Sequence, residues 1–145
     1  MTVIAFMYSC NQKSTETKDE TAVGETASSE ATSNEETGVY FVSPSEGATL
    51  SSPVKVEMGV RGMSVEPAGE VNEGKGHHHI VIDGGSISKG TVVPADSLNI
   101  HYGKGQTETT LELSPGKHKL TLQFADGLHQ SYGEAWSKTI TITVE

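Results

Sequence analysis

Residues 54–61 read Val54-Lys55-Val56-Glu57-Met58-Gly59-Val60-Arg61. Apolar side chains fall at every second position. A strand sends alternate side chains to opposite faces, so this octet is a β-strand with one face on a core. The same alternation returns at Leu120, Leu122 and Phe124 against Lys119, Thr121 and Gln123, and again at Ile140, Ile142 and Val144 against Thr139, Thr141 and Thr143. Each of these three runs is expected to be a half-buried antiparallel strand. Working outward, 39–43, 78–83 and 98–102 are further strand candidates. Leu111 and Leu113 lead into Ser114-Pro115-Gly116-Lys117. Pro pre-sets the first central dihedral of a tight turn there and Gly accepts a positive one, so a hairpin joining the strands around Glu112 and Leu120 is expected. No run sustains a 3.6-residue period, and little helix is expected.

About seven short strands at this spacing indicate an all-β fold, an immunoglobulin-like antiparallel β-sandwich. The segment Ser43-Pro44-Ser45-Glu46-Gly47-Ala48-Thr49, followed by Ser52-Pro53-Val54, resembles the first strands of many bacterial immunoglobulin-like modules. Such a resemblance speaks to fold and not to chemistry.

The N-terminal third is of another kind. Residues 1–10 end in a short apolar run closed by Cys10, the only cysteine, and polar sequence follows at once. This resembles the lipobox of bacterial lipoproteins, in which the cysteine is acylated and becomes the mature N-terminus. Met7 stands where lipoboxes usually carry Leu, no basic segment precedes the run, and the run is short. These departures fit a leader truncated relative to the true translation start. Residues 11–38 carry Ser, Thr, Glu, Ala, Asn, Lys and Gly with no aromatic, and seven acids against two lysines. They cannot bury enough apolar surface to offset ordering entropy and read as a disordered acidic tether with a reach of roughly 30 Å. The sandwich is expected over 39–145. The implied setting is extracytoplasmic, the periplasm or outer membrane, with the membrane met through the lipid anchor only.

Charge narrows the partners. The chain holds 19 acidic and 10 basic residues, a net charge of -9, which argues against nucleic acid or an anionic lipid surface. With one cysteine there is neither an internal disulfide nor a Cys-x-x-Cys motif. There is likewise no Gly-x-Ser-x-Gly elbow, phosphate loop or His-Glu-x-x-His, so the expectation is a non-catalytic binding domain.

All six histidines fall in the sandwich segment. Side chains two apart on a strand share a face with about 6.6 Å between Cα atoms, so His77 and His79 can converge on one ion. Neutral imidazole is a good ligand for copper(II) or zinc, and a His-x-His pair needs only one or two more donors. His101 and His129 are the candidates for those donors, with Glu73 and Asp83 as carboxylate options. The competing reading has the histidines structural, bonding loop carbonyls or capping the sandwich edge in a module that binds an envelope protein or glycan. His78 shares its face with Ile80 and Ile82 and is assigned to the core edge. His118, in line with Leu120, Leu122 and Phe124, is assigned a structural role.

Two further sets of residues each admit two readings. Gly103, Lys104 and Gly105 could form an anion-binding nest, although a turn needs the same glycines. Trp136, Tyr132 and Tyr102 could form a sugar-stacking surface, although a lone Trp in a sandwich is more often core. Finally, Gly76-His77-His78-His79-Ile80-Val81-Ile82-Asp83, His101-Tyr102-Gly103-Lys104-Gly105-Gln106-Thr107-Glu108, Pro115-Gly116-Lys117-His118 and Leu128-His129-Gln130-Ser131-Tyr132 together resemble the domain-of-unknown-function 4399 (DUF4399) family, over about 39–144. The resemblance implies an exported, compact β domain and supplies no reaction.

Overall fold

The computed structural model describes residues 36–145. The lipobox-like segment with Cys10, and the acidic stretch as far as residue 35, lie outside the described residues. Nine strands follow in order: β1 (Gly38–Ser43), β2 (Thr49–Leu50), β3 (Val54–Arg61), β4 (Ser64–Val65), β5 (Lys75–Ile82), β6 (Asn99–His101), β7 (Glu108–Leu111), β8 (Gly116–Ala125) and β9 (Ser137–Val144). A single 3-10 turn, Glu134–Trp136, precedes β9. The strand expected to begin at Val39 begins one residue earlier, at Gly38.

The strands form two sheets. The smaller runs β1-β3-β7, and the larger β2-β9-β8-β5-β4 with β6 paired to β5. The long pairs are antiparallel, while the two-residue strands β2 and β4 pair parallel with β9 and β5. Val54, Val56 and Met58 of β3 meet Ile80, Leu120, Leu122, Phe124, Ile140 and Ile142 of the larger sheet in one core. This is the immunoglobulin-like all-β sandwich that the period-two runs indicated. At about 25 cal/mol per Å2 of apolar surface, that shared core is the main favourable contribution to folding.

Two expectations need correcting. The Ser114-Pro115-Gly116-Lys117 turn does not close a hairpin. β7 pairs with β3 in one sheet and β8 with β5 and β9 in the other, so the turn carries the chain across the sandwich. Turn residues fix where a chain reverses and leave open which strand it then joins. Nor is β8 half-buried. From Leu120 onward both faces are covered, Thr121 and Gln123 included. The cover is the long connection between β5 and β6. Its Ile87 N–H donates to Gln123 Oε1 (2.9 Å), and its Gly84 carbonyl accepts from Thr121 Oγ1 (3.0 Å). This third layer also covers β5, whose residues from Gly76 to Ile82 are all buried.

His78 occupies the inner face of β5, opposite Phe124 in register. Its ring meets the Phe124 ring edge to face at 5.1 Å, it is 0% exposed, and neither ring nitrogen has a hydrogen-bond partner among the described residues. A buried polar group left unpaired costs about 1–3 kcal/mol. Replacing His78 by Leu, of similar volume and without polar atoms, should therefore raise the urea midpoint, with a gain of about 1 kcal/mol in unfolding free energy. A loss of stability would show that the imidazole has a partner.

Candidate metal centre

If His78 faces the core, its neighbours on β5 face outward, under the third layer. His77 and His79 stand there almost fully buried, and their Nε2 atoms lie 3.0 Å apart. The other donors arrive by register. β6 pairs with β5 so that His101 lies opposite His79, and His101 Nε2 comes within 3.1 Å of His77 Nε2. His129 Nε2 lies 3.0 Å from His101 Nε2. The four histidines singled out from the sequence thus come together. Ring nitrogens of His77, His101 and His129 lie within 4.8 Å of one another, with His79 adjoining through His77. Of the carboxylate options, Asp83 is engaged elsewhere, with Lys119 N–H and the His118 ring, and Glu73 is an exposed loop residue.

Local structure holds each donor. His129 sits at φ 66°, in the left-handed region, where His is found more often than most residues. Asp126 builds that turn. Its Oδ1 accepts from the N–H groups of Leu128 and Gln130 (both 2.9 Å), and its carbonyl accepts from His129 N–H (2.9 Å). Gly103 makes room for His101, since a Cβ there would collide with the imidazole ring. The anion nest is not the role this turn shows. Gly105 N–H donates to the Tyr102 carbonyl and Lys104 N–H to Gln106 Oε1, so both are spent inside it. The sugar-stacking trio is also dispersed into packing, with Tyr102 buried and Tyr132 and Trp136 partly buried against Phe124 at the core edge.

The cluster is electrostatically unfinished. Neutral imidazole carries one ring proton, and an Nε2···Nε2 contact is a hydrogen bond only when one of the two nitrogens holds it and points it at the other. Along the chain His79, His77, His101, His129, no choice of tautomers fills all three contacts, and at most two can be hydrogen bonds. Protonation is no remedy. Burial pushes His77 down to about 4 and His79 to about 3, and neighbouring imidazoles add to the effect in both, with the Asp126 carboxylate opposing it only at His77. His101 is lowered for the same two reasons, burial first. A cation is what the converging ring nitrogens of His77, His101 and His129 can hold together, with His79 beside them. With metal–nitrogen bonds of about 2.0–2.1 Å, adjacent nitrogens stand about 2.9 Å apart at a right angle and about 3.4 Å at the tetrahedral angle. The observed 3.0–3.1 Å falls between these values.

A pocket of about 290 Å3 opens on the rings of His79, His101 and His129, walled by Val92, Val93, Pro94 and Ala95. Sequence reading missed this wall. Val-Val-Pro in a polar connection was the available signal. A larger cleft, about 510 Å3, lies near β1, Arg61 and Lys138 and holds none of the histidines.

Fold and site together define a β-sandwich domain with a histidine cluster that could hold a metal ion. The chain belongs to the DUF4399 family, a domain of unknown function, whose model matches residues 56–145. That span is shorter at its start than the resemblance suggested, and it contains every histidine. No curated protein and no solved structure matches the chain.

The lowered values carry a consequence for stability. His77, His78 and His79 take up a proton near 6.5 when unfolded and only at about 3 to 4 when folded, so the unfolded chain binds more protons between those limits. Their contribution is complete above pH 6.5 and is lost as the pH falls towards 4. His118 runs the other way. The Ser114 carbonyl, then Asp83, favours its charged form, and its contribution fades as the pH rises through its raised value. With His101 lowered as well, four histidines against one set the direction. Urea midpoints measured without metal should fall steadily from pH 7 to pH 4.5, and a flat profile would contradict the buried neutral cluster.

Proposed function

We propose that this chain is an exported, lipid-anchored, non-catalytic binding domain whose ligand is a divalent cation of borderline softness, copper or zinc, held by His77, His79, His101 and His129. The observation that carries the reading is the separation of the Nε2 atoms at 3.0–3.1 Å, with burial keeping the rings of His77 and His79 neutral near pH 7. Imidazole donors without thiolate or carboxylate suit copper(II) and zinc. Supporting the setting are the lipobox-like run ending at Cys10 and the acidic sequence after it.

Chemistry outside the ligands points to exchange rather than permanent retention. A metal-bound imidazole usually donates its other N–H to a carbonyl or carboxylate, and losing that partner weakens binding by about 10- to 100-fold. The Nδ1 atoms of His77 and His79 have no such acceptor among the described residues. His101 is exposed and His129 half-buried, so the centre can be reached from solvent. A site of this kind loads and unloads, as metal handling outside the cytoplasm requires.

Calorimetric titration of the full chain with copper(II) and zinc at pH 7.4 tests this, in a Cys10→Ser background that removes the competing thiol. One equivalent should bind with a submicromolar Kd. His101→Ala and His129→Ala, at the rim of the site, should each weaken binding by at least tenfold while the fold, checked by circular dichroism, is kept. A Kd above about 100 μM, a free energy of only about 5.5 kcal/mol, would instead leave an interaction module with structural histidines.

A further inference from the structure

The pocket beside the histidines has no part in holding a cation by the four imidazoles, yet three of those imidazoles are its floor. We propose that it is a ligand site of the metal centre, taking a neutral nitrogen base of the imidazole class as an exogenous ligand. The proposal rests on the metal reading above.

Three observations carry it. First, His101 and His129, two of the three histidines whose ring nitrogens lie within 4.8 Å of one another, line the pocket together with His79, so a cation held at that cluster faces it. A borderline cation held by His77, His101 and His129 keeps a position for an outside ligand, and one that also takes His79 can expand to five. Second, the opposite wall is Val92, Val93, Pro94 and Ala95, and no Lys, Arg, Asp or Glu lines the space. Nothing there recognises a charged ligand apart from the cation, whereas a compact aromatic ring can lay one face on this apolar wall. A volume of about 290 Å3 is at the small end of ligand pockets and suits one substituted five-membered ring. Third, the wall is built. Val93 N–H donates to the His129 carbonyl (2.9 Å) and Val92 bridges to Gln130, so the apolar wall is tied to the turn that presents a metal donor.

The same donor could come as a free small molecule or as the histidine side chain of another protein, and two probes separate these sources. The full chain, with Cys10→Ser and one equivalent of copper(II), is titrated with 4-methylimidazole and with the blocked tripeptide acetyl-Gly-His-Gly-amide, following the visible ligand-field band and the electron paramagnetic resonance spectrum. We expect saturable binding of 4-methylimidazole with a new nitrogen-rich spectrum. 4-Ethylimidazole should bind about fourfold tighter, the increment for one more buried methylene. Ala95→Trp and Val92→Phe, which fill the pocket with apolar bulk, should each weaken the ligand at least tenfold and leave copper affinity unchanged. Tripeptide binding would name a protein histidine as a source, and its exclusion a free molecule. A copper-loaded chain whose spectrum ignores both probes, or whose ligand affinity ignores both variants, overturns the proposal with the metal site intact. A chain that takes up no copper overturns the metal reading and this one with it.

Discussion

The register of β5 is the constraint on which the site depends. Antiparallel pairing sets His78 opposite Phe124, Ile80 opposite Leu122 and Ile82 opposite Leu120 on one side, and His79 opposite His101 on the other edge. A slip of one residue would turn His77 and His79 into the core and bring His78 out in their place. The apolar row Ile80, Leu122, Leu120 forbids that slip, so the packing that stabilises the sandwich also aims the donors. Gly76 contributes at the start of the strand, where any Cβ would run into the Ala125 carbonyl and the Phe124 ring.

The site then asks something of stability in return. His77 and His79 are placed under a third layer where burial keeps them from charging, and the Nε2 atoms of the cluster crowd one another. Such a cluster is tolerated because the surrounding frame is over-determined. Gln123, fully buried beneath the same layer, accepts from Ile87 N–H through Oε1, while its Nε2 donates to the carbonyls of Gly133 and Trp136. Ser131 Oγ donates to the Ile87 carbonyl and accepts from Gly133 N–H. These bonds close the connection between β5 and β6 over the sheet, and the Val93 N–H bond to the His129 carbonyl ties its later part to the His129 turn. Local electrostatic conflict inside a well-bonded frame is the pattern expected where a sequence serves a ligand as well as a fold.

Much of this was legible in the sequence, for reasons that can be named. Period-two runs such as 54–61 report a buried face directly, and β3 and β9 alternate as read. The His-x-His spacing implies convergence because strand geometry is local. What failed was non-local. The Pro-Gly turn after Leu113 marked a reversal, but its strands lie in different sheets. The polar face of β8 looked exposed because nothing in Thr121 or Gln123 announces a covering layer. His101 and His129 could be named as donors by residue type alone, since their approach is set by strand pairing and by the Asp126 turn. Gly103, read as part of an anion nest, is there to clear the ring of His101.

X-ray absorption at the zinc edge of the zinc-loaded full chain, with Cys10→Ser, addresses the central claim most directly. Three or four imidazole nitrogens at about 2.0–2.1 Å, with the outer-shell scattering of histidine rings, is the result this geometry requires. A shell dominated by oxygen without imidazole scattering would mean that the four histidines converge for some purpose other than holding a metal.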